Sequence, residues 1–216
     1  RQEDEEWQQV VQRMRLGMVV VDEAHCISTW GHDFRPSYRR IVNVVKQLQK
    51  DFPVLACTAT ATLRVQRDIE VQFDNSRLTV LRGNLSRPNF ALRVIHCDKQ
   101  EDKMTGVLRI VSSIQGTGVI YCGTQAETEI YSKWLVFNGI KVTNYNAGLD
   151  DDTRKRIEID FVNDVYKCVV STNALGMGMD KPNLRFVIHT QIPASPLHYY
   201  QEIGRAGRDG LNTQVV

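Results

Sequence analysis

Short apolar runs alternate along this chain with longer stretches in which apolar residues recur at helical spacing. The first run is Gly17-Met18-Val19-Val20-Val21. Three β-branched residues in a row predict a strand covered on both faces. Residues 37–50 carry Ile41, Val42, Val44, Val45 and Leu48 in the pattern of a helix. Pro53-Val54-Leu55-Ala56-Cys57 predicts a second buried strand. Thr62 is placed to cap a helix through about Ile69, and 78–81 predicts a third strand. The segment Gly83-Asn84-Leu85-Ser86-Arg87-Pro88-Asn89-Phe90 then breaks the regularity, so a boundary is expected between 1–84 and 85–216. Beyond it the pattern predicts strands at 91–96, 118–122, 140–145, 168–170 and 186–189. Helices are predicted between them at 101–114, 125–137 and 153–161, with a last one at 196–203. Such alternation with short connections means an α/β fold, a parallel sheet flanked by helices. The first section has the same grammar but only about three strands, so it is expected to be part of a domain.

Composition narrows this picture only a little. With 27 basic and 25 acidic residues the net charge is +2, which excludes a polybasic tail as the basis of function. A local patch can still bind phosphates in a near-neutral chain. No run approaches the length of a membrane-spanning helix, and the acidic start lacks the apolar segment of a signal peptide. The five cysteines, at positions 26, 57, 97, 122 and 168, have no paired spacing for zinc. They suit a reducing compartment and are expected to be small buried hydrophobes.

Four segments hold candidate chemistry. Asp22-Glu23-Ala24-His25 follows the first strand directly. Ligands of open α/β sheets bind at the carboxyl ends of strands. A carboxylate there can hold Mg2+ while its neighbour orients an attacking water; two acids can also simply end a strand. Thr58-Ala59-Thr60 follows the second strand at the same edge, where its hydroxyls can link the acidic site to its surroundings or start a helix.

Between them lies Cys26-Ile27-Ser28-Thr29-Trp30-Gly31-His32-Asp33-Phe34-Arg35-Pro36. Trp30 and Phe34 offer stacking surfaces for bases, and His32 and Arg35 can reach phosphate. The alternative is a small satellite core closed by two aromatics. In the second section, Ser171-Thr172-Asn173-Ala174-Leu175-Gly176-Met177-Gly178-Met179-Asp180-Lys181-Pro182 combines hydroxyls and glycines after a buried strand. It is either a phosphate-binding loop or an ordinary one. Gln201-Glu202-Ile203-Gly204-Arg205-Ala206-Gly207-Arg208-Asp209-Gly210 places two arginines on one side of a helical turn, if the turn stays helical. Their forked donors suit a transferring phosphate; a solvated surface turn is the plainer alternative. No GxxxxGK[ST] phosphate cradle occurs in the 216 residues, and Gly116-Thr117-Gly118 precedes a strand instead of following one.

Taken in order, these segments resemble the RecQ family of superfamily-two DNA helicases over nearly the whole chain. Asp22-Glu23-Ala24-His25 resembles the Walker B box, residues 26–36 the aromatic-rich DNA-sensing loop, and Thr58-Ala59-Thr60-Ala61 the motif coupling the lobes. Ser86-Arg87-Pro88-Asn89, Val119-Ile120-Tyr121-Cys122, Asn146-Ala147-Gly148-Leu149, the loop 176–182 and the segment 201–210 follow in family order. The sequence departs from the family pattern at Thr29, often Gln, at Asn146, commonly His, and at Leu175, commonly Phe.

The resemblance implies RecA-like sheets in a P-loop NTPase helicase core, with 1–84 as the later part of an incomplete first lobe and 85–216 as the second. It implies ATP and Mg2+ as cofactors. Asp22 would coordinate Mg2+, Glu23 would polarise water, and His25 would link nucleotide state to the DNA loop. Trp30, His32, Phe34 and Arg35 would meet single-stranded DNA, and Ser171 and Thr172 its backbone. Arg208 would be the arginine finger, supported by Arg205 and Gln201, and Asp180 would contact nucleotide sugar or coordinate closure.

The expected activity of the intact protein is 3′-to-5′ translocation and unwinding at duplex junctions. Walker A is expected from further parts of the same polypeptide, so this stretch alone is expected to turn over little ATP. No membrane partner is expected. The expected location is intracellular, nuclear in a eukaryote and cytoplasmic or nucleoid in a bacterium. The alternatives are a catalytically inactive helicase-like DNA-binding or scaffold protein, and an ATPase remodeller without unwinding.

Overall fold

In the computed structural model the described residues are 16–29, 34–47, 52–73, 79–175 and 180–216. The chain divides into two units, Arg1–Asn84 and Leu85–Val216.

In the first unit, β1 (Val19–Val21) pairs in parallel with β2 (Val54–Ala56), Val20 lying opposite Leu55. The chain leaves β1 through a buried 3₁₀ helix, Ala24–Ile27. Helices α1 (Pro36–Gln47) and α2 (Leu63–Gln72) follow β1 and β2 respectively. Thr62 caps α2, its Oγ1 accepting from the Val65 amide at 3.3 Å. Val21, Ala24, Ile27 and Val42 form the core, with Val19, Ala56 and Ile69 packed against it. The alternate positions Val20 and Leu55 are 57% and 47% exposed. The expected burial on both faces is therefore not met: among the described residues the pair is covered on one face only. The strand expected at 78–81 is also absent. Leu78 lies outside the described residues, and 79–81 are irregular, with Leu81 90% exposed. An apolar run forms a strand only where a neighbouring edge can satisfy its backbone.

The second unit is one six-stranded sheet, parallel throughout. Its strands are β3 (Phe90–Leu92), β4 (Thr117–Tyr121), β5 (Val142–Tyr145), β6 (Cys168–Ser171), β7 (Leu184–His189) and β8 (Thr213–Val215). Their spatial order is β3-β8-β7-β4-β6-β5. Four helices connect them: α3 (Gln100–Ser113), α4 (Gln125–Phe137), α5 (Asp151–Val162) and α6 (Pro196–Ile203). Period-two alternation sorts the side chains onto two faces. Val119, Tyr121 and Val169 pack with Ile157 and Phe161 of α5 and Ile203 of α6. Ile120, Cys168, Val170 and Phe186 pack with Val107 and Val111 of α3 and Tyr131 and Leu135 of α4.

Local signals start the helices. Thr124 and Glu127 form a reciprocal capping box on α4, and Asp150 caps α5. Gly118 allows the closest packing in the sheet. A Cβ there would lie 2.2 Å from the Phe186 ring.

Two expectations about strands change. The strand expected at 91–96 is found at Phe90–Leu92, paired with Thr213–Val215; Val94 beyond it is 99% exposed. β8 itself was not anticipated. Thr213-Gln214-Val215 is too short and polar to stand out, yet Val215 is fully buried between β3 and β7.

All five cysteines are unbridged thiols, but only Cys26, Cys122 and Cys168 are buried; Cys57 and Cys97 are half-buried. Burial pushes the thiols of Cys122 and Cys168 up to about 12. At pH 8 that leaves a thiolate fraction on the order of 10⁻⁴. Iodoacetamide at pH 8 is therefore expected to alkylate Cys57 and Cys97 in the native chain and to spare Cys122 and Cys168 until denaturant is added. Peptide mass mapping reads this directly, and native modification of Cys168 would contradict it.

Candidate functional site

The carboxyl ends of β1 and β2 are joined by backbone bonds. The Cys57 amide donates to Val21 at 2.9 Å and the Ala24 amide to Cys57 at 2.8 Å. Between them Glu23 takes a left-handed backbone, φ 50° and ψ 42°. For a non-glycine residue this costs on the order of 1–3 kcal/mol. It turns the chain sharply and leaves the Asp22 and Glu23 side chains exposed. Asp22 Oδ1 accepts from the Glu23 amide at 2.9 Å.

His25 is the centre of this site and is 2% exposed. Its Nδ1 lies 3.0 Å from Thr58 Oγ1 and 3.3 Å from Thr60 Oγ1. The same nitrogen is 3.2 Å from Glu23 Oε2. A protonated Nδ1 donates to the carboxylate; an unprotonated one accepts from a threonine hydroxyl. Thr58 also holds Thr60, whose amide donates to its Oγ1 at 3.2 Å. The two hydroxyls after β2 and the Glu23 carboxylate after β1 thus meet on one imidazole.

Phe34 and Arg35 are half-buried. The Arg39 guanidinium sits 5.3 Å from the Phe34 ring centroid, and the Arg35 amide donates to Cys26 at 3.0 Å. Trp30 and His32 lie outside the described residues.

In the second unit the helical turn that would align the two arginines does not form. α6 stops at Ile203, Gly204 caps it, and Gly207 takes φ 57°. Arg205 therefore turns inward beside Tyr121, where its charge opposes the upward push of burial on that phenol. Its Nε is buried without a hydrogen-bond partner among the described residues. Arg208 is more exposed: Nη1 donates to Asp180 Oδ1 at 2.9 Å, and the side chain is 41% exposed. Gln201 is half-buried on α6, one turn before Arg205.

Asp180 is placed by its neighbour. The Lys181 ammonium is buried, 2.6 Å from Asp164 Oδ1 and 3.2 Å from the Val162 carbonyl, at the end of α5. Reading the sequence did not single out Lys181; the Asn163-Asp164 turn, with Asp164 at φ 58°, was its only local signal.

Ser171 and Thr172 behave differently from one another. Ser171 is fully buried, its hydroxyl donating to the Thr172 carbonyl and accepting from the Leu175 amide at 3.3 Å. Its hydroxyl is engaged within the turn that follows β6. Thr172 lines a cavity of about 180 Å³ with Gly123, Asn173, Gln191 and His198.

A buried pair missed by sequence reading forms the cavity wall: His189 Nε2 lies 2.8 Å from Glu202 Oε2, with side chains 7% and 14% exposed. The His189 ring stacks on Tyr121 at 5.4 Å. A histidine ending a buried strand and a glutamate inside the arginine segment were the available hints.

Parallel strands flanked by helices, with acids and hydroxyls after the strands and two arginines after α6, are the fold of RecA-like helicase domains. Residues 3–69 match the DEAD/DEAH box helicase domain and residues 102–210 the helicase conserved C-terminal domain. The Mycobacterium smegmatis helicase Lhr bound to ssDNA and AMP-PNP shares the fold. Its TM-score is 0.70 at 17% identity, over 97% of this chain and 29% of its own. The chain is 40% identical over 212 residues to the ATP-dependent DNA helicase RecQ of Bacillus subtilis, covering 98% of this chain and 35% of that protein. It is 38% identical over 201 residues to the RecQ-like DNA helicase BLM of Xenopus laevis, covering 92% of this chain and 15% of that protein. The chain belongs to the RecQ family of helicases. It spans about a third of the length of the bacterial RecQ relatives it matches. Among the described residues no helix is long and apolar enough to cross a membrane.

Proposed function

We propose that this chain forms part of the motor of an ATP-dependent DNA helicase that moves 3′ to 5′ along single-stranded DNA and opens duplex junctions. The observation that carries the reading is the His25 bridge between the exposed Glu23 carboxylate and the Thr58 and Thr60 hydroxyls at one sheet edge. The family membership supports it. Mg2+ keeps most of its waters and binds through one or two carboxylates plus nucleotide phosphates. Asp22, a single exposed carboxylate at a strand end, fits that need, and no larger metal cluster exists among the described residues. Glu23 orients the attacking water. Because Glu23 and the threonines compete for the same imidazole nitrogen, a change at the nucleotide is felt at Thr58 and Thr60. Arg208 leaves Asp180 to neutralise charge on the transferred phosphoryl group, with Arg205 and Gln201 behind it. Asp180 keeps the guanidinium placed between turnovers. The Phe34–Arg35 segment and the Thr172 cavity meet DNA mainly through its backbone, so sequence preference is weak.

The test is strand displacement on a forked duplex with a 3′ tail, run beside an ATPase assay with and without single-stranded DNA, on the full-length polypeptide. DNA-stimulated hydrolysis and ATP-dependent displacement are expected. Hydrolysis without displacement would make the protein a remodelling ATPase. Binding of DNA with neither activity would leave a scaffold.

A further inference from the structure

The segment that begins the second unit is bound to the turn that carries Arg208. Asn89 Nδ2 donates to the Gly207 carbonyl at 2.9 Å and to the Leu211 carbonyl at 3.1 Å. One primary amide thus spends both N–H groups on the two ends of the turn 207–211. The Asn89 carbonyl accepts from the Thr213 amide at 2.9 Å, which anchors the residue to β8. Arg87 adds a second tie, Nη2 donating to Ala206 at 3.2 Å, while its guanidinium lies over the Phe90 ring at 5.0 Å. Gly207 permits the contact: a Cβ there would lie 2.5 Å from Asn89 Nδ2. Aspartate has the same shape as asparagine but would aim a charged oxygen at two carbonyls.

We infer that Asn89 is a positioning residue for Arg208: it welds residues 86–90 to the arginine turn, so that the two move as one piece. The inference rests on the reading of Arg208 as the phosphate-binding arginine.

The test measures kcat, KM for ATP, affinity for single-stranded DNA and melting temperature in the full-length polypeptide. The variants are Asn89→Ala, Asn89→Asp, Arg208→Ala and the Asn89→Ala/Arg208→Ala double. Misplacement of a catalytic group by about 1 Å costs up to ~100-fold, so Asn89→Ala is expected to lower kcat about tenfold. KM and DNA affinity should stay within about twofold, because the turn is displaced and not lost. Asn89→Asp should be at least as slow, despite its shape. The double variant should be no slower than Arg208→Ala alone, since residues acting through one group are not additive. Wild-type kcat in Asn89→Ala, or losses that multiply in the double, would overturn the positioning role. A fall in kcat and DNA affinity together, tracking a lower melting temperature, would do the same. If Asn89→Ala does not fold, Arg87→Ala is read identically, with about a threefold loss expected and a wild-type kcat counting against the role. Wild-type turnover in Arg208→Ala would instead sink the underlying reading of the arginine, a distinguishable result.

Discussion

Replacing Glu23 with glutamine is expected to lower the DNA-stimulated kcat of the full-length protein by about 100- to 1,000-fold, while ATP and single-stranded DNA still bind. General-base and water-orienting groups contribute roughly 10²–10⁴-fold. Glutamine is the informative choice because Glu23 occupies a left-handed turn. It preserves the side-chain shape and the backbone requirement, so the loss reports the carboxylate alone. Thr58 and Thr60 remain within 3.0 and 3.3 Å of His25 Nδ1 as partners when the carboxylate is removed. Single-turnover hydrolysis separates the chemical step from product release, and a fluorescent nucleotide reads binding. A wild-type single-turnover rate would remove Glu23 from the chemistry and leave it a strand terminator.

Arg208→Ala should be as damaging to turnover and nearly silent in stability. Arginine fingers are worth about 10³–10⁵ in kcat, so a loss of about 1,000-fold is expected. The ion pair that Arg208 makes with Asp180 is exposed on both sides, 41% and 77%. Such pairs contribute about 0–1 kcal/mol, so the melting temperature should barely move. Arg208→Lys restores the charge without the planar fork and should recover only a small part of the rate. A variant that turns over normally, or one that loses activity only because it unfolds, would remove the finger role.

Much of the second unit was legible because its signals are local. The apolar runs at Val119-Ile120-Tyr121 and Cys168-Val169-Val170 are fully buried strands, and α4 and α6 begin and end at residues that cap helices. What stayed hidden depends on contacts distant in sequence. β8 is a strand because β3 and β7 accept it, not because Thr213-Gln214-Val215 has a strong pattern. Val94 and Ile95 have the apolar pattern and are exposed outside the described strands.

At the site, the order of the motifs was readable and their side-chain directions were not. Spacing alone put Arg205 and Arg208 on one side. In the structure the helix ends at Ile203 and Gly207, tied to Asn89 from more than a hundred residues away, is left-handed; Arg205 lies half-buried by Tyr121 and Arg208 exposed at Asp180. The His189–Glu202 pair likewise joins a strand to a helix, which no periodicity reports.

The strand order has a consequence for how the second unit comes into being. β3 is made first yet touches only β8, which is made last. During synthesis β4 and β5 can associate once β6 has emerged between them and β7 can then add to β4, while the leading strand waits without a strand partner until residue 213 has been added. Closing so wide a loop is slow compared with local pairing. Among the described strands the last to be seated is β8, between β3 and β7, and it fixes Asn89 beside both ends of the arginine turn. The nascent unit therefore lacks the Asn89 ties to its arginine turn until β8 is in place, so a ribosome-bound intermediate can pack its central strands before that turn is fixed.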